Sequence, residues 1–333
     1  MKKKLIDLMR PEEEYELLSK QRVNDGKAFY KKYKERFIDI DCPSCGEIGE
    51  AAFLKYGFNH KICKKCNTLY CSPRPDEDLL KIFYNEWDSP KMWTELLLKS
   101  DAERNIFQYQ PRVNELITLI KNNNAKSGGI AVDIGAGAGT FALCIKNTKY
   151  FSNVIALDLS DECVKICKKI GLQAEAKTVN QLLDDSCDLI CANDLVEHLY
   201  DPYSFFIDCH KALRDNGHVF IPTPNGQGFD FMVMGDNTIN ISPPEHLQYF
   251  NPQSLELILN RAGFRVISLE TPGKLDTQIV LKEKLNGFNV NQQNHYIDYL
   301  LEQDEKIINN FQQFLSKNKL SSHMICLAQK IKD

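Results

Sequence analysis

The chain has 333 residues, 43% of them hydrophobic and 26% charged, with a net charge of −4. That length calls for one large domain plus an appendage, and the composition is that of an ordinary soluble globular protein. The slight acidity excludes a general electrostatic pull toward nucleic acid or an anionic membrane, and no apolar stretch approaches the ~18 residues of a membrane span.

The first residues, Met1 to Asp7, begin with three lysines, but Asp7, Arg10 and Glu12 to Glu14 interrupt any apolar core. A secretory signal is therefore not expected. Twelve cysteines in such a chain indicate a reducing compartment, and a cytoplasmic location is expected. Residues 1–35 are charge-rich, with Leu5, Leu8, Met9, Tyr15, Leu17 and Leu18 as one shallow apolar stripe. The pattern predicts a docked accessory helix.

Residues 36–75 carry the first chemical motif. Cys42-Pro43-Ser44-Cys45 and Cys63-Lys64-Lys65-Cys66 are two C-x2-C turns with seventeen residues between them. Each turn can present two thiolates to one ion, and Ala51 to Leu54 reads as an intervening hairpin strand. Cys42, Cys45, Cys63 and Cys66 thus predict a structural zinc ribbon, closed by four sulfurs and without catalytic work. Redox pairs or plain thiols are the alternatives. Cys71 is expected to pack rather than ligate.

The remainder, 76–333, reads as one α/β domain. Ser72 to Asp76 is an extended proline segment that caps a short helix, followed by a second helix near 89–123. From residue 130 short apolar runs alternate with helical patterns, the signature of a parallel sheet with crossover helices on both faces. Val132-Asp133-Ile134-Gly135-Ala136-Gly137-Ala138-Gly139-Thr140 is a buried strand turning through three glycines into a helix. Such a helix start aims free N–H groups and a positive dipole end at a ligand. The next strand, 153–157, ends on Asp158, placed to accept from a ribose diol, with Leu159 beside it. A dinucleotide fingerprint needs its third glycine at position 140, where this chain has Thr140. An NAD site or a purely structural turn are the alternatives for this motif alone.

Further strands are predicted at 173–176, 187–192, 218–221, 265–269 and 323–329. Helices begin at Ser160, Asp201-Pro202 and Asn251-Pro252 and end at Gly171, Gly217 and Gly263. Residues 275–320 read as two amphipathic helices inserted before the last strand, forming a lid, a substrate wall or a contact in a homodimer. Cys144, Cys163, Cys167, Cys187, Cys191 and Cys209 fall at core-facing positions.

The G-x-G-x-G turn after Asp133 resembles motif I of the class I S-adenosylmethionine (SAM) methyltransferases. So do Cys187 to Leu199 with Asp201-Pro202, the run Leu213 to Asn225, Pro244 to Phe250, and Ala262-Gly263-Phe264. With the ribbon in front, residues 40–270 are similar to zinc-ribbon methyltransferases of sugar and surface-polysaccharide biosynthesis, the deoxysugar C-methyltransferases among them, and to the ubiquinone-biosynthesis type. The resemblance implies a seven-stranded Rossmann-like sheet. It implies SAM held by Asp133, Gly135, Gly137, Gly139, Asp158, Leu159, Asn193 and Asp194, and a small-molecule acceptor, sugar-linked, methylated on oxygen or carbon. Proton removal from the acceptor then falls to His246, oriented by Glu245, with His198 as the second candidate. In the ubiquinone type, acids and a histidine matching Asp194, Glu197 and His198 can hold a divalent cation. A zinc-ribbon RNA methyltransferase is the rival within the class, disfavoured by the acidic charge despite Lys61, Lys64 and Lys65. A non-catalytic SAM-binding interaction protein is the rival outside it.

Overall fold

The computed structural model describes residues 5–123, 127–290 and 294–332. Its strands are β1 (Gly49–Lys55), β2 (Phe58–Cys63), β3 (Leu69–Cys71), β4 (Ile130–Ile134), β5 (Asn153–Leu157), β6 (Gln173–Glu175), β7 (Cys187–Cys191), β8 (Leu213–Pro224), β9 (Gln248–Tyr249), β10 (Phe264–Glu270) and β11 (His323–Lys330). The chain forms two compact units. One contains Met1–Met92, Pro224–Leu255 and Glu270–Met324, and the other Trp93–Thr223, Glu256–Leu269 and Ile325–Asp333. This division departs from the sequence-based one, in which 76–333 form a single domain. The causes are pairing of β9 with the ribbon and packing of the 276–317 helices around Ile6, Phe229 and Met234.

The second unit is built on a seven-stranded sheet of order β10-β11-β8-β7-β4-β5-β6. From β6 to β8 the strands are parallel, with Asp133 of β4 in register with Ala156 on one side and Cys191 on the other. Central parallel strands are covered on both faces and so read as unbroken apolar runs. Val132 and Ile134 obey this; the buried Asp133 between them is the exception. The last strand, β11, lies between β8 and β10, an insertion absent from the dinucleotide-binding order 3-2-1-4-5-6. Phe141 and Phe220 stack within the core, centroids 6.1 Å apart.

Three local expectations change. The helix near 89–123 is broken into Asp88–Lys99, Asp101–Arg104, a π turn at Asn105–Tyr109 and Gln110–Asn122. Pro111 has no N–H for the preceding turn, which opens the ladder there. The helix from Pro202 ends at Ala212, not Gly217, and β8 follows at once. Amides of Asp185 and Ser186 cap the carbonyls of Lys211 and Ala212, so no glycine is needed. Among the described residues the insertion holds three α-helices, Asp276–Leu285, His295–Leu301 and Glu305–Lys317, because Asn294 and Asp304 each cap a new start.

The first unit has a four-stranded sheet of order β1-β2-β3-β9. Helix Glu12–Tyr33 belongs to this unit, burying Tyr15, Leu18, Asp25, Gly26 and Phe29. Phe29 meets Phe83 and Trp87 edge-on, which fixes the helix against the segment after the ribbon. Among the described residues, no helix is long and apolar enough to cross a membrane.

Candidate active site and four-thiol centre

The glycine loop leaves β4 through Gly135, Gly137 and Gly139, all at positive φ (68°, 54° and 79°). Two of them are forced by neighbours: a Cβ on Gly139 would sit 2.7 Å from Cys167 Sγ, and one on Gly135 would sit 3.0 Å from Leu195 Cδ1. Gly137 differs, because a Cβ there would meet nothing within 4 Å. Its backbone therefore faces open space at the start of helix Thr140–Asn147, where a ligand can approach the chain closely. Asp158, at the end of β5, accepts from the Gly137 and Ser160 amides at 2.8 Å each, so one carboxylate braces the loop and the next helix. Leu159 beside it is 67% exposed.

Asp133 lies beneath the loop. Its Oδ1 is buried without a hydrogen-bond partner, and the Ala142 amide bonds the carboxylate. Burial, reinforced by Asp158, pushes its pKa up to about 8. An orphaned buried acceptor beside an open glycine is what a site for a cationic amino group requires, so the residues present fit the methionine end of SAM.

After β7, Arg112 binds Asn193 Oδ1 at 2.9 Å and Asp194 Oδ2 at 3.1 Å. Asn193 Nδ2 has no partner. Glu197 is buried, accepts from Thr223 Oγ1 at 2.9 Å, and is pushed up to about 8 by burial and by Asp194. Glu197 and His198 offer ligand atoms within 4.8 Å of one another, but Asp194 does not complete a three-residue cation group with them. Its carboxylate is taken by Arg112, which corrects the expected Asp194-Glu197-His198 set. The segment before Arg112 also touches the loop helix: Asp101 accepts from Thr140, and Tyr109 packs edge-on against Phe141.

In the first unit, Glu245 is buried and its carboxylate meets Arg22 Nη2 at 2.7 Å. His246 Nδ1 lies 2.9 Å from the carbonyl of Asn240. A carbonyl only accepts, so Nδ1 is the donor in this hydrogen bond and carries a proton. The orienting group on Nδ1 is thus Asn240, in place of the expected Glu245. The ribbon brings Cys42, Cys45, Cys63 and Cys66 together, with sulfur separations of 3.5, 3.4 and 3.6 Å for Cys42–Cys66, Cys45–Cys63 and Cys45–Cys66. A tetrahedral ion with Zn–S bonds of about 2.3 Å needs sulfurs roughly 3.8 Å apart, so the four fit zinc. Each knuckle closes on a left-handed residue, Gly46 and Asn67. Cys71 packs against His60 Nε2 at 3.2 Å.

Sequence reasoning missed Arg22, Arg112, Thr223 and Asn240. The signal for Arg22 was present: Leu18, Arg22, Asp25, Gly26 and Phe29 recur at helical spacing, placing two charges in a buried stripe.

A family model described as a methyltransferase domain matches residues 106–269. The chain is 24% identical over 162 residues to the ubiquinone biosynthesis O-methyltransferase of Aliivibrio fischeri, covering 44% of this chain and 68% of that protein. The mitochondrial ubiquinone biosynthesis O-methyltransferase of Saccharomyces cerevisiae is 25% identical over 175 residues, covering 47% of this chain and 56% of that one. A SAM-dependent methyltransferase structure from Archaeoglobus fulgidus aligns with a TM-score of 0.46 at 18% identity, covering 77% of this chain and 100% of that one. Residues 106–269 are a methyltransferase domain, and the protein is a class I SAM-dependent methyltransferase. Relatives named for ubiquinone biosynthesis lend no support to the expected place in polysaccharide biosynthesis.

Proposed function

We propose that the protein methylates a hydroxyl oxygen of a small-molecule acceptor, with His246 as the base. Bound SAM supplies an electrophilic sulfonium methyl, so the chain must bind, align and exclude water. Asp133 and the Gly137 backbone would hold its amino acid end, Asp158 its ribose diol, and Asn193 Nδ2 supplies a further donor. The observation that supports the base assignment is the Asn240 carbonyl on His246 Nδ1, which engages that nitrogen as a donor and makes Nε2 the ring nitrogen that would take a proton from a hydroxyl. The O-methyltransferase relatives favour oxygen over carbon as the acceptor atom. The four thiols would bind one zinc ion and fold the ribbon around it.

Replacing His246 by alanine should lower turnover by on the order of 100-fold while leaving SAM affinity intact. Transfer of labelled methyl to sugar-linked and to phenolic acceptors measures this and sorts the acceptor class. A loss below about threefold removes His246 from the role. A divalent cation on Glu197 and His198 is the finer alternative for activating the hydroxyl. It predicts that a chelator sparing the thiol-bound zinc abolishes turnover, and full activity in EDTA rejects it.

A further inference from the structure

The loop that carries His246 is fastened on one side by the ribbon and on the other by helix Glu12–Tyr33. On the ribbon side, β9 pairs antiparallel with β3, Leu69 opposite Tyr249 and Tyr70 opposite Gln248. The Cys71 amide donates to the Leu247 carbonyl at 2.8 Å, and Arg74 donates to Gln248 Oε1 at 2.8 Å. Two contacts reach the metal knuckles themselves: Asn251 Nδ2 donates to the carbonyl of the ligand Cys66 at 2.8 Å, and Ser44, inside the first knuckle, donates to the Ser254 carbonyl at 2.6 Å. These groups all follow His246, at positions 247–254, so the C-terminal end of the loop is set by the same turns that hold the four sulfurs.

On the helix side the fastening is a buried ion pair. Arg22 and Glu245 have side chains only 13% and 4% exposed. Burial alone would lower the Arg22 pKa, yet Glu245, Tyr15 and Tyr56 together outweigh it and hold the guanidinium above its ordinary value. One turn on, Gly26 sits mid-helix, where glycine is costly. A Cβ there would lie 2.9 Å from the Pro243 carbonyl and 2.8 Å from Tyr56 Cδ2. The glycine therefore exists so that the helix can lie directly on the loop. Inside the loop, amides of Glu245 and His246 turn back to the Ser242 carbonyl.

We propose that Arg22 is a positioning residue for His246, acting through Glu245, and that the ribbon and helix Glu12–Tyr33 together form the template that fixes the His246–Asn240 hydrogen bond. Glu245 on this account takes no proton from the acceptor. The inference rests on His246 as the base only for its kinetic consequence, since the imidazole geometry can be read without turnover.

The experiment compares Arg22→Met, Arg22→Lys and Gly26→Val in the full chain. The first readout is the His246 side-chain nitrogens in long-range proton–nitrogen NMR. The wild type should show a protonated Nδ1 and a bare Nε2. Arg22→Met and Gly26→Val should show tautomer averaging, with Arg22→Lys restoring the wild-type pattern. The second readout pairs turnover with calorimetry of S-adenosylhomocysteine. Turnover should fall about 30-fold in Arg22→Met and recover to within about threefold in Arg22→Lys, with ligand affinity unchanged in both. A wild-type tautomer pattern in both Arg22→Met and Gly26→Val overturns the proposal, as does a parallel loss of ligand affinity. Tautomer averaging in Arg22→Met together with a fully active His246→Ala variant would leave the template standing and dismiss the base.

Discussion

Replacing Cys66 by serine should strip the protein of zinc and unfold the ribbon. The four sulfurs already sit at near-tetrahedral spacing, and Cys66 is fully buried. Cys66 is held down to about 4, chiefly by its contact with Cys42, whose own thiol is pushed up. One proton is thus shared where a cation would neutralise both. Structural zinc contributes on the order of 10 kcal/mol to the folding of such small modules. Losing even half of that should lower the melting temperature of the unit by at least about 10 °C. The loss should extend past the ribbon, because Asn251 donates to the Cys66 carbonyl and β9 depends on β3. Metal analysis with thermal melting checks it. A Cys66→Ser protein with no zinc and a wild-type melting temperature would show that the ribbon folds by packing alone.

Much of this architecture was legible in the chain because the signals were local. The G-x-G-x-G turn, the acid ending the next strand and the paired C-x2-C knuckles each need only a few consecutive residues, and the structure places them at strand ends and tight turns. The succession of strands and helices along the chain followed from the alternation of apolar runs with capped helices. What could not be read was tertiary. Pro111 opens a π turn in a helix whose apolar period runs straight through it. Gly217 lies in a strand, because carbonyls that a glycine turn would have satisfied found amides from Asp185 and Ser186. The Asn240 carbonyl has no sequence signature, and Glu245 beside His246 suggested itself as the orienting group by adjacency alone. Adjacent side chains in a turn diverge; Glu245 meets a helix more than 220 positions away, at Arg22.

Donor binding should strengthen with pH, and Asp133 should be the reason. In the ligand-free protein this carboxyl titrates at about 8, raised first by burial and then by the Asp158 charge. An ordinary carboxylate titrates near 4, so between pH 4 and 8 the folded protein holds a proton that the unfolded chain has released. Ligand-free stability therefore falls as pH rises through that window. A bound amino acid end reverses the preference, because an ammonium against Oδ1 favours the ionised form. Binding must then expel the proton, and affinity should rise about tenfold per pH unit from 6 to 8, about 100-fold in all, and level off above. Isothermal calorimetry with S-adenosylhomocysteine in buffers of different ionisation enthalpy would measure both the slope and the proton. Asp133→Asn should flatten the profile at the weak, low-pH affinity. Glu197 also titrates at about 8, but its Oε2 is engaged by Thr223, so Glu197→Gln should leave the slope in place. A slope that survives Asp133→Asn and disappears in Glu197→Gln would move the proton to the β7 loop and leave Asp133 a buried brace for the glycine turn.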